Sequence, residues 1–83
     1  EISQKGVRQM ISMIDLRGID PRFRSGLVFS VFEGLLQGGQ LQFLSDAQPA
    51  VWESAFVGAR LANLSYLVHA VEPGLWRITL TKV

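Results

Sequence analysis

Asp15-Leu16-Arg17-Gly18-Ile19-Asp20-Pro21 separates two stretches of different periodicity, and the fold follows from reading outward on both sides of it. Upstream, Met10-Ile11-Ser12-Met13-Ile14-Asp15-Leu16 has the length and apolar content of a mostly buried strand. Downstream, Asp20-Pro21 starts a helix: a carboxylate caps it, and proline takes the first helical position, where a missing N–H costs nothing. Phe23, Leu27, Val28, Val31, Phe32, Leu35 and Leu36 follow at helical spacing as one wide apolar stripe, and Gln37-Gly38-Gly39 stops the helix.

Gln40 to Leu44 alternates as a second strand, and Ser45-Asp46-Ala47-Gln48-Pro49 leads into a second helix. Val51, Trp52, Ala55, Phe56, Ala59 and Ala62 carry that helix's apolar stripe, with Asn63 at its end. Leu64 to Val71 reads as a third strand and Leu75 to Lys82 as a fourth, joined by Glu72-Pro73-Gly74 in a hairpin. The order is β-α-β-α-β-β. Its opening implies two parallel strands with a right-handed crossover. One apolar stripe per helix places both helices on one side of the sheet. The predicted class is α/β, an α+β two-layer sandwich with a four-stranded mixed sheet and an open sheet face. Residues 1–9 form a polar lead-in, and residues 10–83 a single domain.

Alternation fixes the faces of the fourth strand. Trp76, Ile78 and Leu80 turn to the helices, and Arg77, Thr79 and Thr81 turn outward. The best parity elsewhere adds Ser65, Leu67 and His69, Gln42 and Leu44, and Ile11 and Met13 to the open face. Met13, Leu44, Leu67, His69, Arg77 and Thr79 are its candidate contact residues, an unusually apolar set for a solvated sheet.

Composition narrows the chemistry. A chain of 83 residues buries only about 60–65% of the surface its unfolded form exposes. Eight basic and seven acidic side chains give a net charge of +1, so no long-range field draws the molecule to nucleic acid or an anionic membrane. Absence of cysteine removes disulfides, thiol nucleophiles and thiolate metal ligands, and suits a cytoplasmic protein. Arg60, Asn63 and His69 interrupt the apolar runs well before membrane-spanning length.

The charged candidates gather in the two loops. Asp20 reads as a helix cap. Asp15 and Asp46 lie near the C-terminal edge of the parallel strands, where open α/β sheets take ligands, and a salt bridge to Arg17 accounts for them most simply. Arg22 and Arg24 stand in the first helical turn, against the macrodipole. With Arg17 they form a candidate anion site. His69 has no second histidine or cysteine to share a zinc ion, so neither metal nor cofactor is expected. Trp52 and Trp76 read as core.

The element order, Asp15-Leu16-Arg17-Gly18 closing strand one, Pro21, Gly38-Gly39, Ser45-Asp46 and the Trp76-Arg77-Ile78 ending together resemble the TusA/SirA-like sulfur-carrier superfamily. The chain is more similar still to a sister family of uncharacterised bacterial domains that share the fold and lack the cysteine. The carriers place a Cys-Pro pair beginning three residues after the glycine; here Pro21 stands at that distance, preceded by Asp20. Their second loop tends to carry Asp-Pro, where this chain has Gln48-Pro49.

The resemblance implies the fold, a place near redox or sulfur metabolism and a habit of docking on larger proteins. It does not extend to persulfide transfer, which needs a thiol. The expected role is therefore a non-enzymatic interaction domain with a protein partner, self-association as a weak homodimer being one form of it. The alternative is small-anion or RNA-backbone binding through Arg17, Arg22 and Arg24. An enzyme built on Asp15 and Asp46 ranks last, because no nucleophile or base accompanies them.

Overall fold

The computed structural model describes residues 10–61 and 63–83, with side chains from Met13 onward. The lead-in at residues 1–9, the place of Ala62 and the outward side chain assigned to Ile11 lie outside the described residues. Strands β1 (Met10–Asp15), β2 (Gln40–Ser45), β3 (Leu64–Glu72) and β4 (Leu75–Lys82) form one mixed sheet with helices α1 (Pro21–Glu33) and α2 (Pro49–Ala59). A single 3-10 turn, Leu16–Gly18, leaves β1. The spatial order is β1-β2-β4-β3. β1 pairs with β2 in parallel, and β4 pairs antiparallel with both β2 and β3. This is the two-layer α+β arrangement that the sequence predicts.

The period-2 pattern of β2 explains how the layers meet. Leu41, Phe43 and Ser45 are buried, while Gln40, Gln42 and Leu44 are only half-buried. Leu41 and Phe43 lie beside Leu80 and Ile78 of β4, and these four pack with Val28, Phe32 and Leu35 from the α1 segment and Trp52 and Phe56 of α2. Leu16, fully buried in the 3-10 turn, joins the same cluster. Aromatic rings bind α2 to the sheet: Trp52 lies 4.6 Å from Phe43 and 6.1 Å from Phe56, and Phe56 lies 5.2 Å from Tyr66, centroid to centroid.

Both helices are shorter than their apolar spacing suggests. α1 stops at Glu33 with Gly34 as its C-cap, four residues before the Gly38-Gly39 pair. Lys82 reaches across from β4 and donates to the carbonyls of Glu33 and Leu35, each at 3.0 Å, so the helix end is closed by a cation from the sheet. α2 stops at Ala59 rather than at Asn63, because Arg60 takes a left-handed conformation (φ 53°, ψ 43°) that breaks the helical path.

The stripes are also narrower than the spacing suggests. Phe23 is 61% exposed and Leu36 69%, and Leu27, Val51 and Ala59 are exposed as well. Phe23 and Leu27 stand about 100–140° around α1 from Val28, too far to reach a sheet that contacts one side of the helix. Trp76, expected in the core, is half-buried at the start of β4, where it sits beside Ser45 and Ala70.

Ser45 is fully buried and accepts two hydrogen bonds at its hydroxyl, from the Trp52 indole Nε1–H at 2.9 Å and the Ala47 N–H at 3.0 Å. Ser45→Ala leaves both donors without a partner in a dry site. The expected loss is about 1–3 kcal/mol of unfolding free energy in urea titration, well above that of removing an exposed hydroxyl such as that of Ser54.

Candidate functional site

The C-terminal ends of parallel β1 and β2 deliver two loops to one end of the molecule, and both helices begin there. Asp15 ends β1 and Asp20 caps α1 across the short turn. The two aspartates use the same device. Asp15 accepts the Arg17 N–H at 3.0 Å, and the Arg17 guanidinium folds back on the same carboxylate, with Nε–Oδ1 at 3.0 Å and Nη2–Oδ2 at 2.7 Å. Asp20 accepts the Arg22 N–H at 2.9 Å, and the Arg22 guanidinium returns with Nε–Oδ1 at 3.2 Å and Nη2–Oδ2 at 2.8 Å. An Asp-x-Arg step thus opens the 3-10 turn and then opens α1. Each aspartate ends a turn's orphaned N–H and holds a fork-to-fork ion pair.

Arg24 does different work. Its side chain is only 12% exposed. It donates from Nε to the Ile19 carbonyl at 2.8 Å and from Nη1 to Asp46 Oδ1 at 2.9 Å. One guanidinium therefore fastens the first loop and the second loop to α1. The macrodipole disfavours a cation in this turn of the helix; the side chain leaves the helix axis and is neutralised by Asp46. Asp46 thus holds Arg24, while Arg17 is held by Asp15.

Electrostatics follow the pairing. The hydrogen bonds from the Arg17 side chain, and then its backbone N–H, hold the Asp15 carboxyl well below its ordinary 3.8, at about 2. The same pair raises the Arg17 guanidinium. Arg22 lowers Asp20 in the same way, first by its side chain and then by its N–H. On β3, burial raises the Tyr66 hydroxyl, and the Glu53 carboxylate beside it adds to the shift.

Behind the ion pairs lies a cleft of about 200 Å³ between the first turns of the helices. Pro21, Ser25, Val51, Trp52 and Ala55 line it, with Arg24 at its polar side. The apolar walls come from Pro21 at the start of α1 and from the α2 stripe, where Val51 faces the cleft and not the sheet. Sequence reasoning singled out the arginines and missed this cleft. The available signal was the matched pair of helix starts, Asp20-Pro21 and Gln48-Pro49, which puts proline at the first position of both helices. Gly18 has ordinary backbone angles, and a methyl group there would meet nothing within 4 Å, so the fold itself does not require a glycine.

The open sheet face lies on the other side of the molecule from the helices. Register aligns Asp15, Leu44, Arg77 and His69 in one row and Gln42, Thr79 and Leu67 in the next. Gln42 donates to Thr79 Oγ1 at 3.3 Å and Gln40 to Thr81 Oγ1 at 3.2 Å, so the middle of this face is a polar ladder. Leu67, 74% exposed, and Met13 stand at its margins. The face and the loop end meet at Asp15, which ends β1. Among the described residues no three His, Asp or Glu side chains converge as metal ligands. No described helix is long and apolar enough to cross a membrane.

Residues 13–82 match the family described as uncharacterized conserved protein, DUF2249. The chain belongs to DUF2249. The matched span begins within β1 and ends at the last residue of β4, so the DUF2249 unit contains both loops, the cleft and β2, β3 and β4 entire. No curated protein and no solved structure matches the chain.

The two depressed aspartates set a pH dependence. A carboxyl lowered in the folded state stabilises the fold above its unfolded pKa, and that contribution disappears as pH falls through the folded value. For Asp15 the window runs from about 3.8 down to about 2. Melting temperature should fall across that window, and Asp15→Asn should flatten the slope while lowering stability slightly at neutral pH. Both pairs face water, so the effect is small, and 1 M salt should reduce it.

Proposed function

We propose that this DUF2249 chain is a non-enzymatic interaction domain of TusA/SirA-like fold that docks on a protein partner. The observation that carries this reading is the pairing of Arg17, Arg22 and Arg24 with Asp15, Asp20 and Asp46. The charged groups at the loop end are committed to one another, and the cleft beside them is apolar. Such a surface offers contact rather than acid–base chemistry. The resemblance to sulfur carriers supports a role near redox or sulfur metabolism, and the lack of cysteine suits a cytoplasmic setting. Where a carrier has its Cys-Pro pair, this chain has Asp20-Pro21 on a loop one residue shorter, so the cargo site is missing.

Two experiments test this. Incubation with a cysteine desulfurase and cysteine should leave the mass of the chain unchanged; the gain of a sulfur atom would overturn the non-carrier reading. A photo-crosslinking residue placed at Val51 or Leu67 in cells should give discrete adducts, and one placed at exposed Glu33 should not. Adducts at neither position would sink the docking reading.

Small-anion or RNA-backbone binding through Arg17, Arg22 and Arg24 is the second reading, favoured by their clustering beside the α1 N-terminus. An incoming phosphate would have to displace a carboxylate from each guanidinium. Sulfate at matched ionic strength should therefore add no melting temperature beyond the chloride control. An excess that disappears in Arg22→Gln/Arg24→Gln would reverse the ranking.

A further inference from the structure

We propose that β3 is a docking edge for a second copy of this chain, adding strand to strand in antiparallel fashion across a two-fold axis. This deepens the docking reading by naming one partner, and rests on it. β3 ends the β1-β2-β4-β3 order, so among the described residues only its β4 side is paired. The ladder tells which groups face outward. The Val83 N–H donates to the Asn63 carbonyl, and Lys82 exchanges hydrogen bonds with Gly38 and Gly39 on the β2 side. Alternation from there gives Ser65, Leu67 and His69 to β4 and leaves the N–H and C=O groups of Leu64, Tyr66, Val68 and Ala70 pointing away from the sheet.

Natural edge strands are guarded by lysine, proline, inward charge or a bulge. Leu64–Val71 contains no charged residue and no proline, and its irregularity comes only between Ala70 and Glu72. On the helix side Tyr66 and Val68 each remain 38% exposed, although Phe56 of α2 lies against Tyr66.

Charge selects the occupant and its direction. Arg60 precedes β3 and Glu72 ends it, and neither makes an ion pair among the described residues. Antiparallel self-pairing carries each Arg60 towards the partner copy's Glu72 at both ends, whereas parallel pairing sets like against like. The register that uses every regular residue from Leu64 to Ala70 centres on Leu67. It pairs Tyr66 with Val68 and Leu64 with Ala70 by hydrogen bonds, and stacks the two exposed Leu67 side chains on the open face. One strand edge and its flanks make an interface well below about 1,600 Å², so the dimer is weak.

Sedimentation of the unaltered chain over roughly 10–500 µM should show a concentration-dependent shift from monomer to dimer. Val68→Pro removes an outward N–H that β4 does not use and should abolish the shift while circular dichroism and melting temperature show a folded domain. Leu67→Lys, which opposes two cations at the axis, should do the same and covers the case in which the proline variant fails to fold. Glu72→Arg should weaken association several-fold, and Arg60→Glu with Glu72→Arg should restore it. A monomer throughout that range overturns the proposal, as does a dimer indifferent to Val68→Pro and Leu67→Lys. Monomeric behaviour together with heterologous adducts from Val51 would remove this inference and leave the docking reading standing.

Discussion

Ser45 is the point at which the two halves of the domain are tied. It ends β2, faces the helix layer and is fully buried, yet carries a hydroxyl. A polar group there is tolerable only because it accepts from the Trp52 indole and the Ala47 N–H. The first bond sets the rotation of α2 by holding its largest side chain against Phe43, and the second sets the turn that brings the chain to Pro49. The line of rings from Phe43 through Trp52 and Phe56 to Tyr66 then carries that orientation to the far edge of the sheet. Shift this one acceptor, and the cleft, the second loop and the cover over β4 all move with it.

At the loop end the same economy is reached with charge. Arg17 and Arg22 pair with aspartates two residues away, which fixes local turns. Arg24 pairs with Asp46, 22 residues away, and with the Ile19 carbonyl, which fixes the relation between loops. The exposed pairs are worth little individually. The half-hidden Arg24 matters more, because its removal would leave the two loops to find their spacing without it. A domain whose loop end is held in this way presents a preformed shape, and a preformed shape lowers the entropic cost of association.

Much of the fold was legible in the sequence. Strict alternation in Gln40–Leu44 and Trp76–Thr81, and the Asp20-Pro21 start, specify strands, faces and a helix by local rules alone. What was not legible depends on contacts distant in sequence. At the end of α1 the Glu33 carbonyl accepts from Lys82, 49 residues away. The position of β4 between β2 and β3 requires the whole sheet. Exposure of Phe23, Leu27 and Val51 depends on how wide a stripe a single sheet can cover, and spacing cannot report that. At the loop end, Asp15 and Arg17 could be paired on sequence because the partners are neighbours, and Asp46 with Arg24 could not. The cleft was missed for a related reason: its walls come from two helices that are adjacent only after folding.

The strand order has a consequence for the protein's birth. β4 is made last, yet it occupies the interior of the sheet, contributing Ile78 and Leu80 to the core and hydrogen bonds to both neighbours. Until it arrives, β2 and β3 have no common partner, and β3, free of charge from Leu64 to Val71, lacks the strand it pairs with. On the ribosome the N-terminal βαβ segment can collapse early, but the domain as a unit must wait for residues up to Lys82 to leave the exit tunnel. Translation thus holds open a sheet whose central strand is still missing, and the interval in which neighbouring nascent chains can mispair is set by the time taken to emerge.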